Sequence, residues 1–238
     1  MAVRSAYSSI LLKLSGEILA GERGWGYSPQ SLFSILNVIA ALWKEGIRIG
    51  IVVGGGNIWR GRMRGEIGLG RVVADEVGML ATVMNALVLQ DKLRQLHVKA
   101  RVIGAMDFGK FAPAISPVDA ARLYSAGELL IFAGGTSNPF FTTDTAAVLR
   151  AAEVGAEVVI KGTKVDGVYD KDPEKYTDAK RYSTISVEEV LEKKLGVIDM
   201  TAASLLRDVG LKMIVFNIGK PENLAKIVAG EDIGTLIY

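Results

Sequence analysis

Short apolar, β-branched runs alternate along the chain with stretches whose apolar residues recur at helical spacing. The runs Ile10–Leu14, Ile47–Val53, Val98–Ile103, Glu128–Ala133, Glu157–Lys161 and Met213–Asn217 have the length and composition of strands. Between the second and third, a helix pattern runs from about Asp75 to Leu96, with an apolar stripe at Val77, Leu80, Met84 and Leu87. An earlier helix is punctuated at both ends: Ser28 can cap it, Pro29 suits its first position and Gly46 ends it. Ser116-Pro117 repeats that opening signal, and Ser186 with Glu189 has capping-box spacing. Strands separated by helices need crossover connections, so the expected fold class is α/β, a mainly parallel sheet covered on both faces. No Pro/Ser-rich linker, internal repeat or low-complexity tract divides residues 1–238, so one domain is expected, with at most two lobes around a cleft.

Charge is nearly balanced, with 28 Lys+Arg against 26 Asp+Glu, and no broad nucleic-acid footprint is expected. Hydrophobic residues make up 50% of the chain, yet no uninterrupted apolar run approaches the roughly 18 residues of a membrane span. The surplus is assigned to a two-sided core or a subunit interface. The first residues carry a short apolar run that Lys13 interrupts, which does not suit a secretory signal. With no cysteine, disulfides, thiolate nucleophiles and cysteine-ligated metals are excluded, and a cytoplasmic localisation is compatible. The single histidine, His97, lies between a helix pattern and a strand and reads as an exposed boundary residue. A histidine-based zinc site or a Ser-His-Asp triad therefore has no basis, and an essential metal would be a hard cation such as Mg²⁺.

In sheets of this class, ligands gather beyond the carboxyl ends of the strands. The segments found there are KLSGE, GGGNIWRG, GAMDFGKF, GGTSNPFFTTDTAA and KGTKVDGVYDKDP, which hold most of the glycine clusters and unusual polar residues. Lys13 follows Leu11 on the face opposite Ile10, Leu12 and Leu14; it is either a solvated edge lysine or a cation aimed at a ligand. In GGGNIWRG the glycines allow close approach of an anion, and Arg60 adds a charge-assisted partner, although a tight strand–helix turn would use the same glycines. The spacing is not that of the dinucleotide fingerprint. GAMDFGKF imitates the start of a Walker loop, but Phe111 replaces the required hydroxyl and Pro113 opposes the helix, so a surface loop is expected. Thr136 to Thr143 crowd hydroxyls beside Phe140 and Phe141, which suits a base and its phosphate; Asp144 either caps the following helix or orients lysines or a metal. In the last segment Lys161 and Lys164 stand near a strand end, and Tyr169 could cover a base.

Together these segments resemble the amino acid kinase family, in particular its bacterial branch that phosphorylates UMP. The similarity rests on LLKLSGE, GGGNIWRG, GMLATVMNALVLQ, GGTSNPFFTTDTAA, KVDGVYDKDP and IDMTAASL, in that order over most of the chain. It implies a three-layer αβα sandwich, transfer of a phosphoryl group from ATP to UMP with Mg²⁺ carried on the ATP phosphates, and a homohexamer. By position it implies Lys13, Leu14, Ser15, Gly16, Gly56 and Arg60 at the ATP phosphates, with Thr163, Tyr169 and Asp172 on the adenine-nucleotide side. Gly55, Asp75, Thr136, Ser137, Asn138, Pro139, Phe140, Phe141, Thr142 and Thr143 would contact UMP. Lys13, Arg60 and Asp144 would be catalytic, with Asp144 holding Lys13 and Lys161 in place. Gly21, Glu22, Arg23, Gly24, Trp25 and Gly26 occupy the place of a GTP-responsive element, so GTP activation and UTP inhibition are implied partners in regulation. The family pattern has glycine at Ser137 and an aromatic or Tyr-Met-like pair at Glu76-Val77. The same scaffold also serves carboxylate and carbamate acceptors such as acetylglutamate or glutamate, and a nucleotide-binding regulatory protein without turnover is the alternative outside catalysis.

Overall fold

The computed structural model describes residues 5–238. The strands are β1 (Ser9–Leu14), β2 (Arg48–Val53), β3 (Ala100–Gly104), β4 (Leu129–Ala133), β5 (Val158–Thr163), β6 (Thr184–Ile185), β7 (Lys212–Asn217) and β8 (Thr235–Ile237). The helices are α1 (Gly16–Ala20), α2 (Pro29–Lys44), α3 (Met63–Glu66), α4 (Arg71–Gln95), α5 (Pro117–Ser125), α6 (Thr143–Val154), α7 (Val187–Glu192), α8 (Met200–Val209) and α9 (Asn223–Ala229). All eight strands join one sheet in the order β3-β4-β2-β1-β5-β7-β8-β6. Neighbours from β3 to β7 are parallel, β8 is antiparallel to β7, and β6 runs parallel to β8. The six expected strands are present with small shifts at their ends. β6 and β8 are too short for a periodic signal and were not expected.

The period-2 alternation sorts the strand side chains into two cores. Ile10, Leu12 and Leu14 pack with Ile49, Ile51 and Ile160 under α2, α4 and α9. Leu11, Val52 and Val159 pack on the other face under α5, α6 and α8. The result is the αβα sandwich, and fully burying each of these aliphatic side chains contributes about 1.5–3 kcal/mol. Helix punctuation follows the sequence: Ser28, Ser116 and Ser186 each accept a backbone N–H three residues on. The GAMDFGKF segment is a loop folded back on itself, with Gly104 N–H donating to Pro113 O and Phe108 N–H to Ala112 O.

One expectation fails in an instructive way. The long helix begins at Arg71, not near Asp75, and within its Val77–Leu80–Met84–Leu87 stripe only Leu87 packs against the core. Leu80 and Met84 are 54% and 52% exposed, while Ala74, Ala81, Thr82, Asn85, Ala86, Leu89 and Leu93 are buried. The reason is distance. A Cβ on Gly55 would stand 2.8 Å from Ala81 Cβ and 2.9 Å from Gly78 O, so only small residues let α4 come this close to the loop after β2. Beside that loop the bulky Leu80 and Met84 are left facing outward, while Val83, Leu89 and Leu93 pack in the core. α4 is also the one helix among the described residues long and apolar enough to cross a membrane; here one face of it is packed in the core, as in a core helix.

Candidate active site

β1 leads to β2 on one side of the sheet and β5 to β7 on the other, so the β1–β5 boundary is the topological switch point. Lys13 and Lys161 are register partners across that boundary. Both share the parity of Leu11 and Val159, which directs them to the α6 face. Asp144, in the first turn of α6, stands between them. Lys13 Nζ is 2.8 Å from Asp144 Oδ1, an ion pair without hydrogen-bond alignment, and Lys161 donates to Asp144 Oδ2 and to Val197 O. All three side chains are 10–12% exposed. Burial opposes the charge on Asp144, but Lys13 and Lys161 outweigh it and hold the carboxyl below its usual range. Burial, aided by Lys13, pushes Lys161 below the usual lysine range, while Asp144 resists that shift.

Beside Lys13 lies a cavity of about 350 Å³. Of the residues singled out in the sequence, Lys13, Ser15, Gly16, Gly55, Gly56, Asp75, Thr136, Asn138, Phe141, Thr142 and Thr143 line it. A Cβ on Gly16 would lie 2.5 Å from Gly54 O, so the turns after β1 and β2 touch only because that residue is glycine. Among the described residues, the Gly55 and Gly56 N–H groups donate to no protein acceptor, which leaves them available to an anion. Asp75 accepts from Phe140 N–H at 2.9 Å and pairs with Arg71 at 2.8 Å, while the Arg71 guanidinium lies over the Phe140 ring. Despite burial, those bonds keep Asp75 below its usual carboxyl range.

A second cavity of about 340 Å³ is lined by Glu17, which follows Gly16 of the first, and by Gly21, Thr163, Lys164 and Asn217. Glu17 pairs with Lys164 at 2.7 Å and lies 3.9 Å from Arg60 Nε.

The remaining expectations fall elsewhere. Leu14 is core, Asp144 is behind Lys13, and Ser137, Pro139 and Phe140 belong to the cavity's loop without lining it. Arg60 is turned aside, donating to Gly56 O and Gly24 O. Tyr169 bridges to Arg181, and Asp172 accepts from Glu174 N–H; neither lines either of these two cavities. Segment 21–26 is tied to the glycine loop, since Gly26 N–H donates to Asn57 O and Asn57 Nδ2 donates to Gly26 O. Among the described residues no cluster of three or more acidic, cysteine or histidine side chains could hold a metal. Each carboxylate near the cavity is engaged by a cation, so the donor set fits a magnesium ion borne by substrate phosphates and not a protein cage.

Residues 8–217 match the amino acid kinase family model. The chain belongs to the amino acid kinase family. It is 49% identical over 234 residues to the uridylate kinase of Psychromonas ingrahamii, covering 98% of this chain and 94% of that protein. It is 48% identical to the uridylate kinase of Psychrobacter sp. strain PRwf-1, covering 98% and 97%. The crystal structure of UMP kinase from Bacillus anthracis superposes with a TM-score of 0.94 at 36% identity, over 97% of this chain and 96% of that one. That of UMP kinase from Ureaplasma parvum gives 0.90 at 32%, over 97% and 98%.

For this member of the amino acid kinase family, the departure at Ser137 acquires a physical meaning. Ser137 has φ of 63°, a left-handed conformation in which glycine is unstrained. Two residues near the site escaped the sequence reading of roles. Glu17 is a plain first-turn acid in KLSGE, and Asp199 looks like a helix cap in IDMTAASL; only the fold brings them to Lys164 and to α6.

Proposed function

We propose that this chain catalyses direct transfer of the ATP γ-phosphoryl group to UMP, giving UDP and ADP. One observation carries the reading: two buried lysines face each other across the switch point and share one carboxylate, and one of them, Lys13, reaches the floor of a cavity walled by free glycine N–H groups and the Thr136–Thr143 loop. Two positive charges against one negative make that floor attractive to phosphate oxygens. The first cavity takes UMP and the second takes ATP, so their phosphates meet over Lys13 and Gly16.

A UMP phosphate oxygen attacks the γ-phosphorus in line, its bond forms as the bond to the ADP β-oxygen breaks, and ADP leaves. The acceptor is already anionic at neutral pH, so no base is required, in keeping with a chain whose one histidine, His97, is exposed at a helix end. Lys13 neutralises charge on the transferring group, Asp144 holds Lys13 and Lys161 in position, and Arg60 swings from Gly24 O and Gly56 O to the phosphates. Magnesium on the ATP phosphates supplies further charge neutralisation. Ser15, Gly16, Gly56 and Thr163 contact ATP, with Tyr169 and Asp172 on the adenosine side. Gly55, Asp75 and the Thr136–Thr143 loop contact UMP.

The protein works as one domain and a cytoplasmic homohexamer in this reading, and the outward Leu80 and Met84 of α4 support self-association. The bonds from Arg60 and Asn57 to segment 21–26 support coupling of that segment to the phosphate loop, through which GTP activates and UTP inhibits. The test is ADP formation with Mg-ATP and one acceptor at a time: UMP, CMP, AMP, acetylglutamate, glutamate and carbamate. A strong preference for UMP is expected. Turnover only with a carboxylate or carbamate overturns the acceptor, and nucleotide binding without turnover overturns the reaction.

A further inference from the structure

The segment IDMTAASL has no part in the mechanism above, yet it and the residue just before it, Val197, both touch the catalytic cluster. Val197 O accepts from Lys161 Nζ. Two residues on, the Asp199 carboxylate caps α8 by accepting from Ala202 N–H at 2.8 Å. The same carboxylate accepts from Thr145 Oγ1 at 3.2 Å and from Thr142 Oγ1. Thr142 is itself the cap of α6, and its oxygen accepts from Asp144 N–H at 3.0 Å. A hydroxyl has one proton. With the Thr142 proton committed to Asp199, its lone pairs are turned to the Asp144 amide. The two helix caps are thereby interlocked, and the turn that carries Asp144 is fixed from outside its own helix.

We propose that Asp199 is a positioning residue for phosphoryl transfer: it clamps the first turn of α6 through Thr142 and Thr145 and so sets Asp144 against Lys13 and Lys161. This inference rests on the reaction proposed above. Charge supports it as well. The groups facing Lys161 are Asp144 on α6, Lys13 on β1, the Val197 carbonyl and Asp199 at the start of α8. Burial lowers the pKa of Lys161, and Asp144 and Asp199 both oppose that shift. Removing the Asp199 charge therefore lets Lys161 lose its proton at lower pH.

Asp199→Asn keeps an oxygen that caps α8, since asparagine caps as well as aspartate, but removes the charge. The measurements are kcat and both KM values from neutral to alkaline pH, and amide exchange over residues 142–148. We expect kcat to fall about tenfold or more with KM for ATP little changed, as for a misplaced catalytic group. The alkaline loss of activity should move to lower pH and exchange in 142–148 should quicken. A folded variant with wild-type kcat, alkaline limb and exchange overturns the inference. Thr145→Val, a nearly isosteric loss of one donor, gives a second reading should Asp199→Asn not fold: quickened exchange in 142–148 and lower kcat support the clamp, and neither change overturns it. The double variant should be no slower than Asp199→Asn alone; additive losses overturn the clamp. A wild-type protein inactive with UMP would sink the reaction proposed above, whereas the exchange measurement needs no substrate and still judges Asp199.

Discussion

Asp144 and Glu128 are both buried carboxylates bracketed by two cations, at opposite ends of the sheet. Glu128 precedes β4 and pairs with Lys99 at 3.0 Å and Arg101 at 2.7 Å; those two side chains are 68% and 50% exposed. Asp144 lies at the carboxyl ends of β1 and β5, between lysines that are 12% and 10% exposed. Both carboxyls are more acidic than usual, Glu128 chiefly through the Arg101 bond and Asp144 through its lysines against burial. What differs is the cations. Around Glu128 they stay hydrated, so the cluster joins the start of two strands and little else. Around Asp144 the surplus positive charge is withdrawn from water and faces a cavity lined by free N–H groups. A carboxylate with two cations does not make a site; burying the cations beside room for an anion does.

The sharpest way to break this comparison is to remove Asp144. Asp144→Ala leaves two buried lysines without a carboxylate and should cost about 3–5 kcal/mol in denaturant unfolding, with turnover lost. Next, Lys13→Met leaves Asp144 paired with Lys161 and should fold, but UDP formation at saturating substrates should fall at least about a hundredfold. Glu128→Gln should cost only about 1–2 kcal/mol, because its partners are solvated, and should leave kcat within about twofold. Acid titration sharpens the same contrast. Both carboxyls have lowered folded-state pKa values, so their contribution to stability is present above the usual carboxyl range near pH 4 and is lost as pH falls through those lower values. Thermal melts should therefore drop on acidification, less steeply for Glu128→Gln. The smallest effect belongs to Ser137→Gly. Relief of the left-handed conformation is offset by greater freedom of the unfolded chain, so stability should change by less than about 0.5 kcal/mol, with KM for UMP within about twofold.

The strands of the central sheet were legible because apolar runs bounded by turn residues leave little else to be. The glycine loops were legible as close-approach points, and Lys13 showed its face through the alternation of ILLKL. The packed face of α4 was not legible: periodicity marks the stripe through Leu80 and Met84, while the packed side combines Ala74, Ala81 and Ala86 with Val83, Leu89 and Leu93. β6 and β8 are defined by pairing, which two or three residues cannot announce. The roles of Glu17 and Asp199 depend on contacts to Lys164 and Thr142, made across most of the chain in one case and between two helix starts in the other. The spacing of Arg60 after the glycines suggests a phosphate ligand; its bonds to Gly24 O and Gly56 O reflect local backbone carbonyls that its guanidinium can reach.

The central claim is that one phosphoryl group passes directly from ATP to UMP over Lys13. ATP labelled in its γ-phosphate, mixed with the protein, magnesium and UMP, tests it most directly. The account predicts that the label appears in the β-phosphate of UDP at the rate at which ADP forms. Label released as inorganic phosphate, or retained in ATP while nucleotide is bound, would contradict it.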